Sequence, residues 1–323
     1  MQLGIDLGYN EVKSVSDKEH QRFPAVIGTP EEASFSLNGD QSMILLKPAH
    51  VSLGMGAVMH SRFNNRRESR NWIETADYHH LFCGALTQHT TATQISVDLV
   101  TGLPIAFYGD KGRLAGILTG EHSVQVQGRT AQLFRVNHVR VIPQPFGSLL
   151  SVVLDGRGQI VDNDLALSRV GVIDVGGKTT NLLSVHKLTE LDRESTSVSA
   201  GGWRLVRAVR QWLAANKPGL DEMRDHELAE AIKVQRINCA GEPVSEFPSI
   251  VSGYADSLAQ EIIATATQLW NGGALLDKIL VTGGGALLLG EAIRTRWPRA
   301  EIVPSPVYAN AIGYHRLAKR LYG

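Results

Sequence analysis

The sequence predicts an α/β protein built from two similar halves, and three observations carry that prediction. The chain has 323 residues, and domains of ~150 residues are ordinary, so two are expected. A strand–turn–strand pattern occurs twice. Ile5-Asp6-Leu7-Gly8 matches Ile173-Asp174-Val175-Gly176 at an offset of 168 residues, from 6 to 174, close to half the chain. Strand patterns then alternate with helical ones through the second half. Hydrophobic residues make up 43% and charged residues 20%, the balance of a globular chain and not of a disordered one.

Charge and cysteine content narrow the function classes. The 32 basic residues balance 32 acidic ones. A chain without net charge is not expected to bind nucleic acid or an anionic membrane by bulk charge. Low self-repulsion permits self-association. Cys83 and Cys239, 156 positions apart, suggest neither a disulfide framework nor a zinc site of closely spaced ligands. They read as two reduced thiols of a cytoplasmic protein. The opening Met1-Gln2-Leu3-Gly4-Ile5-Asp6 has no basic segment of a signal peptide. No run approaches the ~18 apolar residues of a membrane span, and no lipidation motif is found at the C-terminus.

Residues 4–15 read as strand, turn at Gly8-Tyr9-Asn10, and strand, because Gly and Asn supply positive φ angles. Residues 24–50, with Pro24, Pro30, Pro48 and a Gly39-Asp40 turn, read as short strands and loops. Arg62, Arg66, Arg67 and Arg70 form a basic cluster, either a solvated surface or a contact for a partner. Residues 78–92 suggest a helix. Ile95–Val100 alternates and is β-branched, so it reads as a strand entering the turn Thr101-Gly102-Leu103-Pro104. Residues 122–142 suggest two or three antiparallel strands. After Pro143-Gln144-Pro145-Phe146-Gly147 a helix is expected through Leu149–Leu154. The second half repeats the hairpin over Val170–Val185, with the turn Gly176-Gly177-Lys178. Helices are expected over 203–216, 225–234 and 249–270, then the strand Ile279–Thr282, the loop Gly283-Gly284-Gly285, and a helix Leu287–Trp297 stopped by Pro298. A last helix runs from Asn310 to Leu321.

The repeated hairpins carry chemistry. A turn built from glycine lets backbone N–H groups converge on an anion without Cβ interference. Two such turns could grip a polyphosphate from both sides. Asp6 and Asp174, at the strand ends, supply hard carboxylate oxygens for Mg²⁺. Lys13 and Lys178 either reach a phosphate as point charges or sit on solvated hairpin faces. Gly283-Gly284-Gly285 follows a strand and opens a helix, whose N-terminal dipole favours anions. It is neither a Walker A loop, lacking Gly-Lys-Ser/Thr, nor a dinucleotide fingerprint.

The ordered set of these segments resembles the actin-like ATPase superfamily of actin, Hsp70 and sugar kinases. In sequence order they are Asp6-Leu7-Gly8 with Lys13, Pro143–Gly147, Asp174–Thr180, Val281–Ala286 and a final helix entered at Ala309–Gly313. Each motif is loose; their order along most of the chain is specific. Asp98-Leu-Val-Thr-Gly-Leu-Pro104 and the Pro143-Gln144-Pro145 step resemble the prokaryotic ParM/StbA group and related archaeal actin-like proteins. The resemblance implies an actin-like (ribonuclease H-like) α/β fold, two similar domains with a nucleotide cleft between them. Domain I would be 1–165, with a small variable subdomain at about 22–90 and the C-terminal helix 307–323 packing back on it. Domain II would be 166–306.

The same resemblance implies residue roles, with ATP/ADP and Mg²⁺ as ligands. Asp6 would hold Mg²⁺ through water, Gln144 would position the attacking water, and Asp174 would polarise that water or hold the metal shell. Gly8, Tyr9, Asn10 and Lys13 would contact phosphates from one side, and Gly176, Gly177, Lys178 and Thr179 from the other. Gly201 and Gly202 would approach the nucleotide. Gly283, Gly284 and Gly285 would lie against the α-phosphate and adenosine. Glu230 or Lys233 would contact ribose or base. Close relatives of the plasmid protein carry Glu where this chain has Gln144, whereas actin has Gln there; a glutamine can orient water but is not a general base, so positioning is implied, not proton abstraction. Lys178 occupies a turn position usually held by small or uncharged residues.

The function implied is a cytoplasmic ATPase that polymerises with ATP and moves or positions DNA such as a low-copy plasmid. Its partners would be copies of itself and a small DNA-binding adaptor, with no direct nucleic-acid or membrane contact. The alternatives are a small-molecule kinase of the same superfamily, for which Asp98 or Asp110 would have to be the base, and a nucleotide-binding scaffold.

Overall fold

The two predicted hairpins share one register. The computed structural model describes residues 1–31, 43–61, 64–65 and 70–323. In it the strand Gln2–Leu7 pairs antiparallel with Glu11–Val15, and Arg169–Val175 pairs antiparallel with Thr180–His186. Leu7 faces Val12 as Val175 faces Thr180, and Asp6 faces Lys13 as Asp174 faces Asn181. The offset of the Asp-x-Gly motif therefore holds residue for residue across both turns.

The repeat extends through both sheets. One runs His20–Pro24, Glu11–Val15, Gln2–Leu7, Gln94–Leu103, Gln132–Pro143. The other runs Thr196–Val198, Thr180–His186, Arg169–Val175, Lys278–Thr282, Ala300–Ile302. In each, an antiparallel hairpin is followed by two parallel strands, and parallel neighbours require crossover connections. The chain divides into two units, Met1–Ala166 with Val307–Gly323, and Leu167–Pro306.

In the first unit the sheet continues from Gln132–Pro143 to Gly120–Val126, Met43–Lys47 and Val51–Leu53. Residues 122–142 thus hold two strands. The apparent third is the far end of Gln132–Pro143, after a bulge between Val136 and His138. Gln132, Phe134 and Val136 are buried before the bulge and Val141 after it. The extra residue reverses which face is apolar, and the sequence pattern therefore looks like two strands.

Three further expectations are corrected. The helix expected over 78–92 is Ala76–Leu86, capped at its start by the Thr75 hydroxyl, which accepts from the Tyr78 N–H at 3.3 Å. Asp110, read from Tyr108-Gly109-Asp110-Lys111-Gly112 as a turn residue, ends a 3₁₀ segment, Ile105–Asp110, that leads straight into the helix Lys111–Leu118. Pro143–Gly147 is not a connector before a helix, since the helix Gln144–Val153 starts at Gln144 itself. Pro143 is its N-cap and Pro145 lies in the first turn, where a missing N–H costs nothing. Arg62, Arg66 and Arg67 lie outside the described residues, and Arg70 opens a short 3₁₀ turn, Arg70–Glu74.

The C-terminal helix Ala309–Tyr322 locks the helix Gln144–Val153 in place. The two cross at glycines. A Cβ at Gly313 would lie 1.8 Å from the Gly147 carbonyl oxygen, and one at Gly147 would lie 2.5 Å from the Tyr314 ring. Fully buried Tyr314 donates its hydroxyl to the Gln144 carbonyl at 3.0 Å. Asn310 Oδ1 accepts from the Ser148 N–H at 3.1 Å and the Ser148 hydroxyl at 2.6 Å. In the second unit, Leu205, Val206, Val209 and Leu213 of the helix Gly202–Asn216 are buried, with Trp212 of the same apolar stripe partly so, in one core with Phe247 and Val251 of the helix Phe247–Leu269.

Gly313→Ala should destabilise the protein by about 2 kcal/mol or more, because backbone cannot retreat from backbone at this crossing. An unchanged melting temperature would refute the close approach. His89 is 3% exposed and held between the Ser14 hydroxyl at 2.7 Å and the Ser16 hydroxyl at 3.0 Å. Burial pushes its pKa down from 6.5 to about 4. The unfolded chain then binds a proton that the folded chain refuses, so stability is complete above pH 6.5 and is lost as the pH falls towards 4. Urea unfolding across this range should show that loss, and His89→Gln should flatten it. An equally steep loss in the variant would rule His89 out.

Candidate functional site

The first unit gathers its site around Asp6, the penultimate residue of the first strand and only 4% exposed. A buried carboxylate needs compensation. Gln144 donates its side-chain N–H to Asp6 Oδ1 at 2.8 Å, and Lys13 Nζ lies 3.7 Å from Oδ2. Lys13 reaches Asp6 because the hairpin register places the two residues opposite each other. Its side chain is 14% exposed, so it is not a solvated hairpin lysine. Gln144 arrives from the positive end of its helix, which favours a carboxylate there. Gly8 closes the turn beside them: a Cβ there would lie 2.9 Å from the Glu11 carbonyl and 3.4 Å from Lys13 Nζ.

An aromatic base supports the turn, and sequence reasoning missed it. Tyr9 stacks on Trp72 with ring centroids 4.7 Å apart, and Trp72 meets Tyr78 edge-on at 5.0 Å. Burial and the nearby Asp6 charge both raise the Tyr78 pKa, so its hydroxyl stays protonated. The Asn10 carbonyl accepts from the Ala25 N–H at 2.9 Å. Thr101, also missed, is fully buried and donates its hydroxyl to the Ile5 carbonyl at 2.7 Å, fixing the strand just before Asp6. The available signal was the pair of aromatics, Trp72 and Tyr78, in an otherwise polar stretch.

The second unit builds a similar turn with different support. Asp174 is 3% exposed at the equivalent strand position. The Gly176 N–H bonds the Thr179 carbonyl at 3.0 Å, closing the turn, and half-buried Lys178 and Thr179 lie on it. The N–H groups of Gly202 and Trp203 then donate to the carbonyls of Gly176 and Gly177 at 3.0 and 2.9 Å. The start of the helix Gly202–Asn216 is thereby tied to the turn. A Cβ at Gly201 would lie 2.4 Å from the Gly177 carbonyl oxygen.

The triple-glycine loop closes on the same strand. Gly283 has φ of 84°, and a Cβ there would lie 2.4 Å from the Val175 carbonyl and 2.5 Å from Asp174 Oδ1. The Gly285 N–H donates to the Val175 carbonyl at 3.0 Å, and its Cβ would strike the Val175 side chain at 2.3 Å. Gly201, Gly283 and Gly285 thus have a reason in the chain's own packing. Gly284 differs: it is exposed, with open space where a Cβ would be.

Three further expected residues make ion pairs of their own. Glu230 and Lys233 are exposed on the helix Asp225–Lys233 and pair with each other at 2.5 Å. Asp98 lies opposite Gln2, at the other end of the first strand from Asp6, and pairs with His138 at 2.8 Å. That position does not suit a base acting beside Asp6.

Comparison with known proteins fits this double architecture. Residues 4–147 match the family model for the N-terminal domain of actin-like proteins, and residues 172–295 match the C-terminal model of the archaeal MreB-like actin homologue. No curated protein sequence matches. Among solved structures, a 15-stranded ParM filament from Clostridium botulinum is 21% identical with a TM-score of 0.83, with 99% of each chain covered. An archaeal actin homologue is 18% identical with a TM-score of 0.83, again over 99% of each chain. The same archaeal homologue in complex with ADP is 19% identical with a TM-score of 0.81, over 99% of each chain. The fold is actin-like.

The glycine geometry separates packing from ligand approach. Gly283→Ala should cost about 3 kcal/mol, from positive φ and overpacking against Val175 together. Gly284→Ala should leave stability within about 0.5 kcal/mol. Chemical unfolding of both variants checks the contrast, and equal losses would contradict it.

Proposed function

The chain belongs to the actin-like proteins, and from that premise we propose that it is an ATPase that assembles with copies of itself. The observation that carries the reading is the buried Asp6 carboxylate, held between Lys13 and Gln144 under a glycine turn. Gln144 spends its N–H on Asp6, which leaves its amide oxygen to accept from a water and orient it. An amide cannot abstract the proton, so its role is positioning. A glutamate here would confront Asp6 with a second buried negative charge.

Phosphates would be bound by backbone N–H groups of Gly8, Tyr9 and Asn10 and by those of Gly177, Lys178 and Thr179, with Gly176, whose own N–H closes the turn onto Thr179, letting the phosphate approach. Lys13 would exchange part of its interaction with Asp6 for a phosphate. Gly284, exposed at the start of the helix Ala286–Arg296, offers backbone to the α-phosphate and adenosine. Glu230 or Lys233 would contact ribose or base. The donor set fits Mg²⁺: Asp6 and Asp174 are buried hard-oxygen groups, and each carboxylate has about four acceptor sites. When bound, the ion would neutralise charge developing on the phosphates.

Self-assembly is supported by the likeness to the Clostridium botulinum ParM filament and by zero net charge. The neutral charge fits DNA being reached through a small adaptor and not by direct contact; the cargo we propose is a low-copy plasmid and the place of action the cytoplasm. No described helix is long and apolar enough to cross a membrane.

High-speed pelleting and phosphate release, with ATP, ADP and a non-hydrolysable analogue, test the reading. ATP and the analogue should give filaments by electron microscopy, and ATP alone should release phosphate. Asp6→Asn and Gln144→Glu should each slow release by about 100-fold or more. Asp174→Ala should abolish it. Filaments absent with every nucleotide would sink the assembly reading; normal hydrolysis by Asp174→Ala would sink the site.

A further inference from the structure

Away from the glycine turns, the first unit draws three other ligand-type side chains together. His79 and Cys83 stand one helical turn apart on Ala76–Leu86 and so share a face. His122 comes from the strand Gly120–Val126. One ligand atom from each lies within 4.8 Å of the other two, the one such cluster among the described residues. His79 Nε2 is 3.1 Å from His122 Nδ1 and 3.8 Å from Cys83 Sγ. A tetrahedral shell with Zn–N about 2.0 Å and Zn–S about 2.3 Å has N···N edges of about 3.3 Å and N···S edges of about 3.5 Å. The apo separations already lie within a few tenths of an ångström of both.

The hydrogen bond that orients a ligand ring is also in place. His122 donates its Nε2–H to the Leu118 carbonyl at 3.0 Å. That bond fixes the tautomer and leaves the Nδ1 lone pair facing His79 and Cys83, the arrangement found behind most metal-bound imidazoles. The Phe82 ring meets His122 edge-on at 5.2 Å and holds its plane. Cys83 is fully buried and His122 is 7% exposed, so neither site atom is an incidental surface group. His79 is half-buried and lines an open groove with Ile73, Glu74, Thr75, Ala76, Arg113 and Ile117, which gives ion and solvent a way in.

We propose that His79, Cys83 and His122 bind a zinc-class divalent cation, with a water as the fourth ligand. On binding, the Cys83 thiol loses its proton to solvent and the thiolate sulfur forms the metal bond. His122 binds through Nδ1, and His79 binds through Nε2 as its Nδ1–H tautomer. Both imidazoles remain neutral, and the net change is one proton released. Thiolate with two imidazoles is a borderline donor set that favours such ions over Mg²⁺ or Ca²⁺. The low cysteine count hid the site, because two of its three ligands are histidines on separate elements. Its consequence is local: Tyr78, beside His79 on the same helix, is the residue whose ring supports Trp72 below the Asp6 turn.

Cobalt(II) is the probe. The full chain, stripped with chelator, is titrated with Co²⁺ and then with Zn²⁺. The expected result is a saturating near-ultraviolet thiolate-to-cobalt band with visible bands of a tetrahedral ion, both lost on adding Zn²⁺, and a melting temperature raised by Zn²⁺. Cys239→Ala should behave like the parent. His79→Ala should lose the bands and the zinc-dependent shift while its circular dichroism stays that of the parent, since His79 is only half-buried; Cys83→Ala should lose the thiolate band likewise. No thiolate band in the parent, or an unchanged band in His79→Ala, would overturn the site. Stoichiometric Cu⁺ retained against excess Zn²⁺ would overturn its zinc class.

Discussion

A carboxylate taken out of water under a glycine turn organises much of the first unit. Asp6 is too buried to be charged alone, and the elements around it supply what water would have supplied. The hairpin register brings Lys13, and the helix Gln144–Val153 brings an amide N–H and its own positive end. That helix can deliver Gln144 only if its start is fixed. The C-terminal helix fixes it through Tyr314, Asn310 and a glycine-to-glycine crossing. Residues more than 300 positions away in sequence from Asp6 thereby determine where its amide partner stands.

The internal repeat conserves backbone more strictly than chemistry. Both hairpins keep their register, and both sheets keep their order of antiparallel and parallel neighbours. The side chain facing the aspartate changes from Lys13 to Asn181. Lys178, which the sequence offers as the second lysine, lies in the turn instead, and the register shows that it is not the counterpart of Lys13. The supports differ as well. Aromatic rings underlie the first turn, whereas backbone hydrogen bonds from Gly202 and Trp203 and the close approach of Gly283 and Gly285 brace the second. Duplicated backbone with divergent side chains suits a protein that asks its two turns for related but unequal tasks.

How much was legible in the sequence follows from the range of each interaction. The hairpins, the helix Gly202–Asn216 and the final helix were readable because turn glycines and 3.6-residue periodicity are local signals. The bulge in Gln132–Pro143 was not, since one extra residue reverses the alternation and mimics a second strand. The roles of Gly201, Gly283 and Gly285 were half legible. Glycine marks a close approach, but only the folded chain shows that the approaching group is Gly177 or Val175 and not solely a ligand. Trp72 and Tyr78 were invisible as site residues because an aromatic earns its place by what it touches across the fold.

The same limit explains the cluster at His79, Cys83 and His122, and it changes what the small first-unit helix is for. Helical spacing of His79 and Cys83 is readable in the sequence, yet a pair of ligands on one helix is not a site until a third arrives from a strand. Its arrival depends on Gly120–Val126 pairing with Gln132–Val136, a long-range event set by the same bulged strand that defeated local reading. The helix Ala76–Leu86 therefore faces two chemistries one residue apart. Tyr78 abuts the ring that carries Tyr9 and hence the first turn, and His79 points into the nitrogen–sulfur cluster. An ion that stiffens that cluster restrains Tyr78 with it, because consecutive residues of one helix cannot move apart without breaking the turn between them.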